Sequence, residues 1–286
     1  MDAIATPVPL RARRVGWRGF LRGHPTITAG AAIMALAVLI ALGAPWLGTV
    51  DPQQINPIMR LRPPSAQAWF GTDMYGRDLW SRAVYGARVS LLVGLLSALG
   101  AVVIGVAVGT LAGYCRGRVD AVLMRATEWV LVVPQFLIVL VVAAIFGADL
   151  RLVVAVIAAV SWPTTARLTR AQFLALAERE FVTAARGLGS SDPRIALRQI
   201  LPNALAQIAV TASLQIPAAI LSEASLRFLG LSDPSRLSWG GMLNQAQNFL
   251  QQSWWMAFFP GIAIFLTVLS FNLAGEALNE ALDPRR

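Results

Sequence analysis

The chain is 286 residues long, 56% hydrophobic and 14% charged, with a mean hydropathy of +0.61; it is too apolar for an ordinary soluble domain and fits a polytopic membrane protein. Its net charge is +9 and all 24 basic residues are Arg, an excess that in so apolar a chain points to loops facing an anionic leaflet rather than to nucleic acid. The single Cys and single His exclude an internal disulfide and a Cys/His metal centre, and without any Lys the chain cannot build a P-loop, whose Lys reaches the terminal phosphates.

Crossing the hydrocarbon takes about 20 largely apolar residues. Six stretches meet or approach that length: Ile27 to Leu47, Val89 to Tyr114, Val122 to Phe146, Leu152 to Ala166, Ala204 to Leu226 and Met256 to Ala274. All read as helices, so the expected fold is all-α with six transmembrane helices. Residues 1–26 form a basic tail, and the first span, 27–48, reads as an anchor helix rather than a cleaved signal because its apolar run is long. Residues 49–88 form an external segment. Within it Asp73 and Arg77, and Asp78 and Arg82, are four apart, the spacing of a surface helix laced by charge pairs and a candidate docking face for a binding protein.

Residues 89–276 hold the other five helices. The fourth contains Pro163 and is expected to continue beyond its apolar run into the polar segment that follows; the fifth and sixth contain Pro217 and Pro260, tolerated where neighbours satisfy the freed carbonyls. Glu223 and Arg227, four apart near the outer end of the fifth helix, read as a local ion pair, with an outer gate or a subunit contact as the functional alternative. Arg125 and Glu128 pose the same question near the inner end of the third. Trp46, Trp239, Trp254 and Trp255 read as anchors at the outer lipid boundary.

Arginine placement orients the bundle. Fifteen Arg fall in the N-terminal tail, at 116 and 118, in the loop 167–203 and at the C-terminus, against seven on the opposite side. Both termini, the loop 167–203 and the tail 277–286 are therefore expected to be cytoplasmic.

Chemistry is limited by what is missing. The one His, His24, precedes the first span, so no base is available to a buried serine nucleophile. Carboxylates in or near the spans are few, chiefly Glu128, Glu223 and Glu276; a proton-coupled secondary transporter or channel stays open on that thin basis. No catalytic and no metal-ligating residue is assigned.

The loop from Glu178 to Pro202 is the informative segment. Helix-forming residues run to about Leu188, and Gly187 and Gly189 supply a stop where a left-handed residue is cheap. Ser191 or Asp192 can then cap a second short helix, with Pro193 at its start, Ile195, Leu197 and Ile200 set among Arg194 and Arg198, and Pro202 at its end. A short amphipathic helix between two spans reads as a docking element.

Here the sequence resembles permease subunits of binding-protein-dependent ABC importers. Ala184, Ala185, Gly189, Leu201 and Pro202 fall in register with their cytoplasmic loop signature, while Thr183 stands where that signature has Glu and Gln199 where it has Ile. The segments Phe70 to Arg82, Ser222 to Leu231, Ser238 to Met242 and Phe271 to Arg285 are similar to the C-type subunit of the dipeptide, oligopeptide, glutathione and nickel importers, and the likeness runs from about residue 20 to the C-terminus.

That resemblance implies a type I ABC importer permease fold in a bacterial cytoplasmic membrane and a non-catalytic subunit that forms half of a path for peptides, with nickel chelates or glutathione as alternatives. It implies as partners a homologous second permease in a heterodimer, two ATPase subunits that bind ATP and Mg, and an extracytoplasmic solute-binding protein; this chain binds no cofactor itself. The ATPase-coupling residues it implies are Thr183, Ala184, Ala185, Arg186, Gly189, Asp192, Pro193 and Arg194. Leu201 and Pro202 are expected to seat the loop on the bundle.

Overall fold

The computed structural model describes residues 25–147, 149–231, 233 and 235–282. The basic tail up to His24 and the final pair Arg285 and Arg286 lie outside them. Helices dominate the described residues, and the one β-type pairing among them is an isolated bridge between Thr72 and Asp78.

Helix α1 spans Pro25–Leu42 and is followed, after Gly43, by the short α2, Ala44–Leu47. Four segments are long and apolar enough to cross a membrane: α3 (Leu79–Cys115), α6 (Leu150–Ala177), the continuous stretch Asp192–Phe228, and most of α11 (Trp255–Leu282). Helices α4 (Gly117–Val132) and α5 (Gln135–Phe146) pass the same test only as a pair, bent by 74°. The apolar part of α1, Thr28–Leu42, is shorter than a full span. Of the six expected spans, four stand as unbroken helices long enough to cross and the bent pair brings the number to five at most; the first expected span falls short among the described residues.

The break in the third expected span has a local cause. Pro134 follows Val133, and its ring pushes that residue out of the helical region to φ −87° and ψ 129°. Hydropathy alone predicts one unbroken span across this dipeptide, from Val122 to Phe146. In α6 the expectation held, since the helix passes Pro163 and continues to Ala177.

The outer segment differs from the expected surface helix. Residues 49–78 are largely irregular, with one 3₁₀ turn at Pro57–Met59, and the charged residues closest to the bundle enter the first turns of α3. Asp73 and Arg77 pair at 2.6 Å across a turn, not along a helix. Asp78 is the N-cap of α3 and accepts from Ser81 N–H at 2.8 Å, so it does not pair with Arg82. Arg82 instead faces Asp73 at 3.6 Å.

This segment is clamped to the bundle. Phe70 stacks on Phe259 with ring centroids 3.8 Å apart, Trp255 Nε1 donates to Thr72 O at 3.3 Å, and Trp239 Nε1 donates to Ala83 O at 2.9 Å. Trp239 and Trp255 are therefore core residues rather than lipid anchors, whereas Trp46 and Trp254 are exposed as expected.

The centre of the bundle is α3 against α6. Small residues recur every four positions along α3, at Ala101, Gly105, Gly109 and Gly113, and let the two backbones approach. A Cβ at Gly109 would lie 2.5 Å from Ala166 O and 2.6 Å from Thr169 Cβ. Gly109→Leu is expected to drive α3 and α6 apart and lower the thermal midpoint of the detergent-solubilised protein, at a cost of roughly 1–3 kcal/mol or more; an unchanged midpoint would show that the contact is dispensable.

Candidate functional site

The inner end of the bundle, read as cytoplasmic from arginine placement, is where α6 ends and residues 178–203 begin. Helix α7 (Glu180–Gly187) carries Val182 and Ala185 on one face, both buried. It stops in a turn that needs a left-handed residue: Gly189 sits at φ +77°, Gly189 N–H bonds Arg186 O, and Ser190 N–H bonds Ala185 O. Nothing lies within 4 Å of a Cβ built at Gly189, so backbone conformation and not crowding selects glycine there.

Helix α8 (Asp192–Ile195) follows, with Ser191 in the N-cap position, and runs into a π-helical turn at Ala196–Ile200 and then α9 (Leu201–Phe228) without interruption. Pro202 therefore does not end a separate coupling helix, as the sequence suggested; it lies in the first turn of α9. Proline cannot donate to the carbonyl four residues back and its ring crowds that group. The π turn widens the helix immediately ahead of it, with Leu201 N–H reaching Ala196 O, and the Asn203 side-chain amide donates to Gln199 O at 2.6 Å.

The π turn also sets the register of burial. Ile195 and Ile200 are five apart yet both fully buried, joining Val182, Ala185, Ala196 and Phe173 in one apolar cluster under the loop. Leu197, expected on that same apolar face, is 58% exposed. Ala185 is among the buried residues, so it seats the loop, while Pro202 is exposed and Leu201 partly so. Ala185, expected at the ATPase contact, is thus buried with Val182 on one face of α7, and Pro202, expected to seat the loop, is exposed.

On the outer face of this loop lie Thr183, Ala184, Arg186, Leu188, Gly189, Asp192, Pro193, Arg194 and Leu197, all exposed. Leu188 is 87% exposed at the tip. Arg186 and Asp192 approach to 3.8 Å across the turn, tying α7 to α8, an exposed contact of modest strength. The surface is thus rigid underneath and mixed apolar and basic on top, the composition of a protein contact.

A second device holds this end together. Arg170 of α6 makes a bidentate pair with Asp120 of α4, with Nε–Oδ1 at 2.5 Å and Nη2–Oδ2 at 2.6 Å. Sequence reasoning passed over Asp120, since a carboxylate fifty residues from its partner leaves no local pattern. A double-mutant cycle on Asp120→Asn and Arg170→Gln is expected to give a coupling of about 1 kcal/mol in detergent, reduced from a buried pair's value by partial exposure; additive effects would dismiss the link.

Of the other expected site residues, two pairs form the local ion pairs that their spacing suggested, and the outer group does not lie along a helix. Glu223 and Arg227 form a buried pair at 2.5 Å, and Arg227 Nη1 also donates to Arg236 O at 2.8 Å. Arg125 and Glu128 approach to 3.7 Å with both side chains exposed. Asp73 and Arg82 are buried, Asp78 nearly so and Arg77 partly so. Both guanidiniums of that group donate to Gln245 Oε1 at 3.1 Å. Charges turned inward cannot form a docking face; they lock the outer segment onto α10 (Trp239–Ala246). Among the described residues, no group of three or more His, Cys, Asp or Glu is placed to hold a metal ion.

Comparison with known proteins gives concordant findings. The family described as binding-protein-dependent transport system inner membrane component matches residues 105–286. The chain is 40% identical to a dipeptide transport system permease protein of Alkalihalophilus pseudofirmus, over 93% of this chain and 88% of that protein. It is 39% identical to a di/tripeptide transport system permease protein of Pseudomonas aeruginosa, over 99% and 94%. Against a glutathione transport system permease protein of Pectobacterium atrosepticum it is 40% identical, over 94% and 90%.

Proposed function

The chain belongs to the binding-protein-dependent transport system inner membrane components, and from that membership we propose that it forms half of the translocation path of an ATP-driven importer for short peptides in a bacterial cytoplasmic membrane. The peptide reading is supported by the dipeptide and di/tripeptide transport relatives, which match nearly the whole chain. Glutathione, itself a short peptide, is the second reading, favoured by a relative of equal identity.

The observation that carries the energy-coupling part is the seated loop. Val182, Ala185, Ile195 and Ile200 fix one face in the bundle. Thr183, Ala184, Arg186, Gly189, Asp192, Pro193 and Arg194, with Leu188 and Leu197, present the other. In the proposed mechanism two ATPase subunits bind ATP and Mg, close on one another, and push against this face. Because α8, the π turn and α9 form one continuous helical stretch, displacement at Asp192 is carried into the membrane through backbone rather than through a slack connector. A homologous second permease supplies the other half of the path, and a solute-binding protein outside delivers the peptide.

Within this reading Glu223 and Arg227 position the outer end of α9. The outer contact with the binding protein is assigned to the exposed surface of residues 49–78, not to Asp73, Arg77, Asp78 and Arg82. Residues 49–88 close the outer side of the bundle, and residues 167–203 carry the ATPase contact.

The test is uptake. Proteoliposomes holding the chain with the permease and ATPase subunits encoded beside it, supplied with the cognate binding protein, are expected to accumulate alanyl-alanine only when ATP is present on the ATPase side. Accumulation by the purified chain alone, driven by an ion gradient, would establish an autonomous carrier instead.

A further inference from the structure

A cavity of about 830 Å³ lies at the outer end of the bundle, away from the coupling loop. Asp51, Tyr85, Arg88, Arg236, Leu92 and Leu150 are among the residues that line it. Small-molecule sites typically have volumes of roughly 300–1,000 Å³ with an apolar lining and a few convergent polar groups.

Two of the charges here lack a close partner, although Arg236 lies near enough to Asp233 to act on it electrostatically. The side chains of Arg88 and Arg236 make no hydrogen bond or ion pair among the described residues, unlike Arg77, Arg82 and Arg227 nearby. Arg236 is nonetheless held in place. Its carbonyl accepts from Arg227 Nη1 at 2.8 Å, and Arg227 is pinned in turn by buried Glu223. The buried pair therefore fixes the backbone from which the exposed Arg236 side chain reaches the cavity. Arg88 projects from the rigid start of α3, and Asp51 adds one carboxylate, which caps the turn at Gln53 N–H at 2.8 Å.

We propose that this cavity, resting on the peptide reading above, recognises the free C-terminal carboxylate of an incoming peptide through Arg88 and Arg236. Two unpaired guanidiniums match a carboxylate in charge and in donor geometry. Asp51 faces the same space and offers a partner for the peptide's ammonium group, while Val89, Leu92 and Leu150 give side chains of varied sequence an apolar surface without selecting among them. Selection by the ends rather than the middle suits a path that carries many peptides.

The experiment has two parts. Uptake of alanyl-alanine by the assembled importer comes first; if the wild type moves no peptide, the peptide reading fails and this inference with it. Saturation-transfer NMR then follows alanyl-alanine and its C-terminal amide on the complete permease and ATPase assembly, without binding protein, in phosphatidylcholine nanodiscs. The free acid is expected to bind the wild type at least about tenfold more strongly than the amide, the scale of a lost charge-assisted contact, and the double variant Arg88→Gln, Arg236→Gln to abolish that difference. Should that variant fail to assemble, Arg88→Lys with Arg236→Lys keeps the charge, loses the fork geometry and is expected to reduce the preference. Equal binding of acid and amide by the wild type, or an unchanged preference in the variants, overturns the proposal while leaving the uptake result standing. Loss of peptide binding when phosphatidylglycerol is added also overturns it, and would assign the arginines to a lipid headgroup.

Discussion

Ile195→Asp is expected to abolish ATP-driven uptake while the chain still inserts in the membrane. Ile195 is fully buried in the inner cluster with Phe173, Val182 and Ile200, and placing an unpaired carboxylate there costs at least about 3 kcal/mol. The loop would then leave its seat, because apolar contact and helix continuity hold it there, with only polar contacts at its edge, among them Arg116 to Glu178 at 4.0 Å, in support. The spans themselves would persist, since their packing lies elsewhere along α3, α6 and α9. Leu188→Asp makes the complementary change. Leu188 is exposed at the loop tip and packs on nothing within the chain's core, so the thermal midpoint should not move, while ATPase co-purification and uptake should fall by about tenfold or more. If both variants lost stability equally, the loop would have no free face; if neither lost uptake, it would not carry the ATPase contact.

The second large effect lies at the opposite end. Asp73→Ala removes the one carboxylate facing both Arg77 and Arg82, at 2.6 and 3.6 Å. It also removes the acceptor for Tyr75 N–H and Arg77 N–H at 2.8 and 2.9 Å. Two guanidiniums would remain side by side, Arg82 almost wholly buried, with only Gln245 and Pro52 O to accept from them. Breaking a buried ion group by removing one partner costs about 3–5 kcal/mol. The expected result is release of residues 49–78, seen as rapid proteolysis of that segment from the outside, with the inner end unaffected. Asp73→Ala with wild-type protease resistance would mean that the aromatic clamp of Phe70 and Trp255 holds the segment unaided.

What the sequence made legible divides along physical lines. Span positions and the extension of α6 past Pro163 follow from composition and length, which depend on local residues. The loop's Gly189 turn was legible for the same reason, since a left-handed stop needs only its own residue type. The broken third span was missed although Pro134 stands in plain view, because the apolar run continues on both sides and hydropathy does not register a bend. Burial of Asp73 and Arg82 is not legible from four-residue spacing, which a turn satisfies as well as a helix face. The stretch is a turn because Asp73 Oδ1 accepts from Tyr75 N–H and Arg77 N–H and Gly76 takes φ +74°. The register of the coupling loop was also hidden: Ile195 and Ile200 share a face only through a π turn, and that turn accommodates Pro202 in a continuous helix. Asp120 and Arg170, joined across fifty residues, leave no trace in sequence spacing.

The exposed face of residues 183–197 as the ATPase contact is the claim on which the proposed function rests, and site-directed cross-linking reads it directly. In a Cys115→Ser background, Ala184→Cys, Leu188→Cys and Arg194→Cys should each form cross-links to an ATPase subunit in the assembled importer, with yields that change when ATP is added, while Val182→Cys and Ile195→Cys should form none. Cross-links from the buried positions, or none from the exposed three, would contradict it.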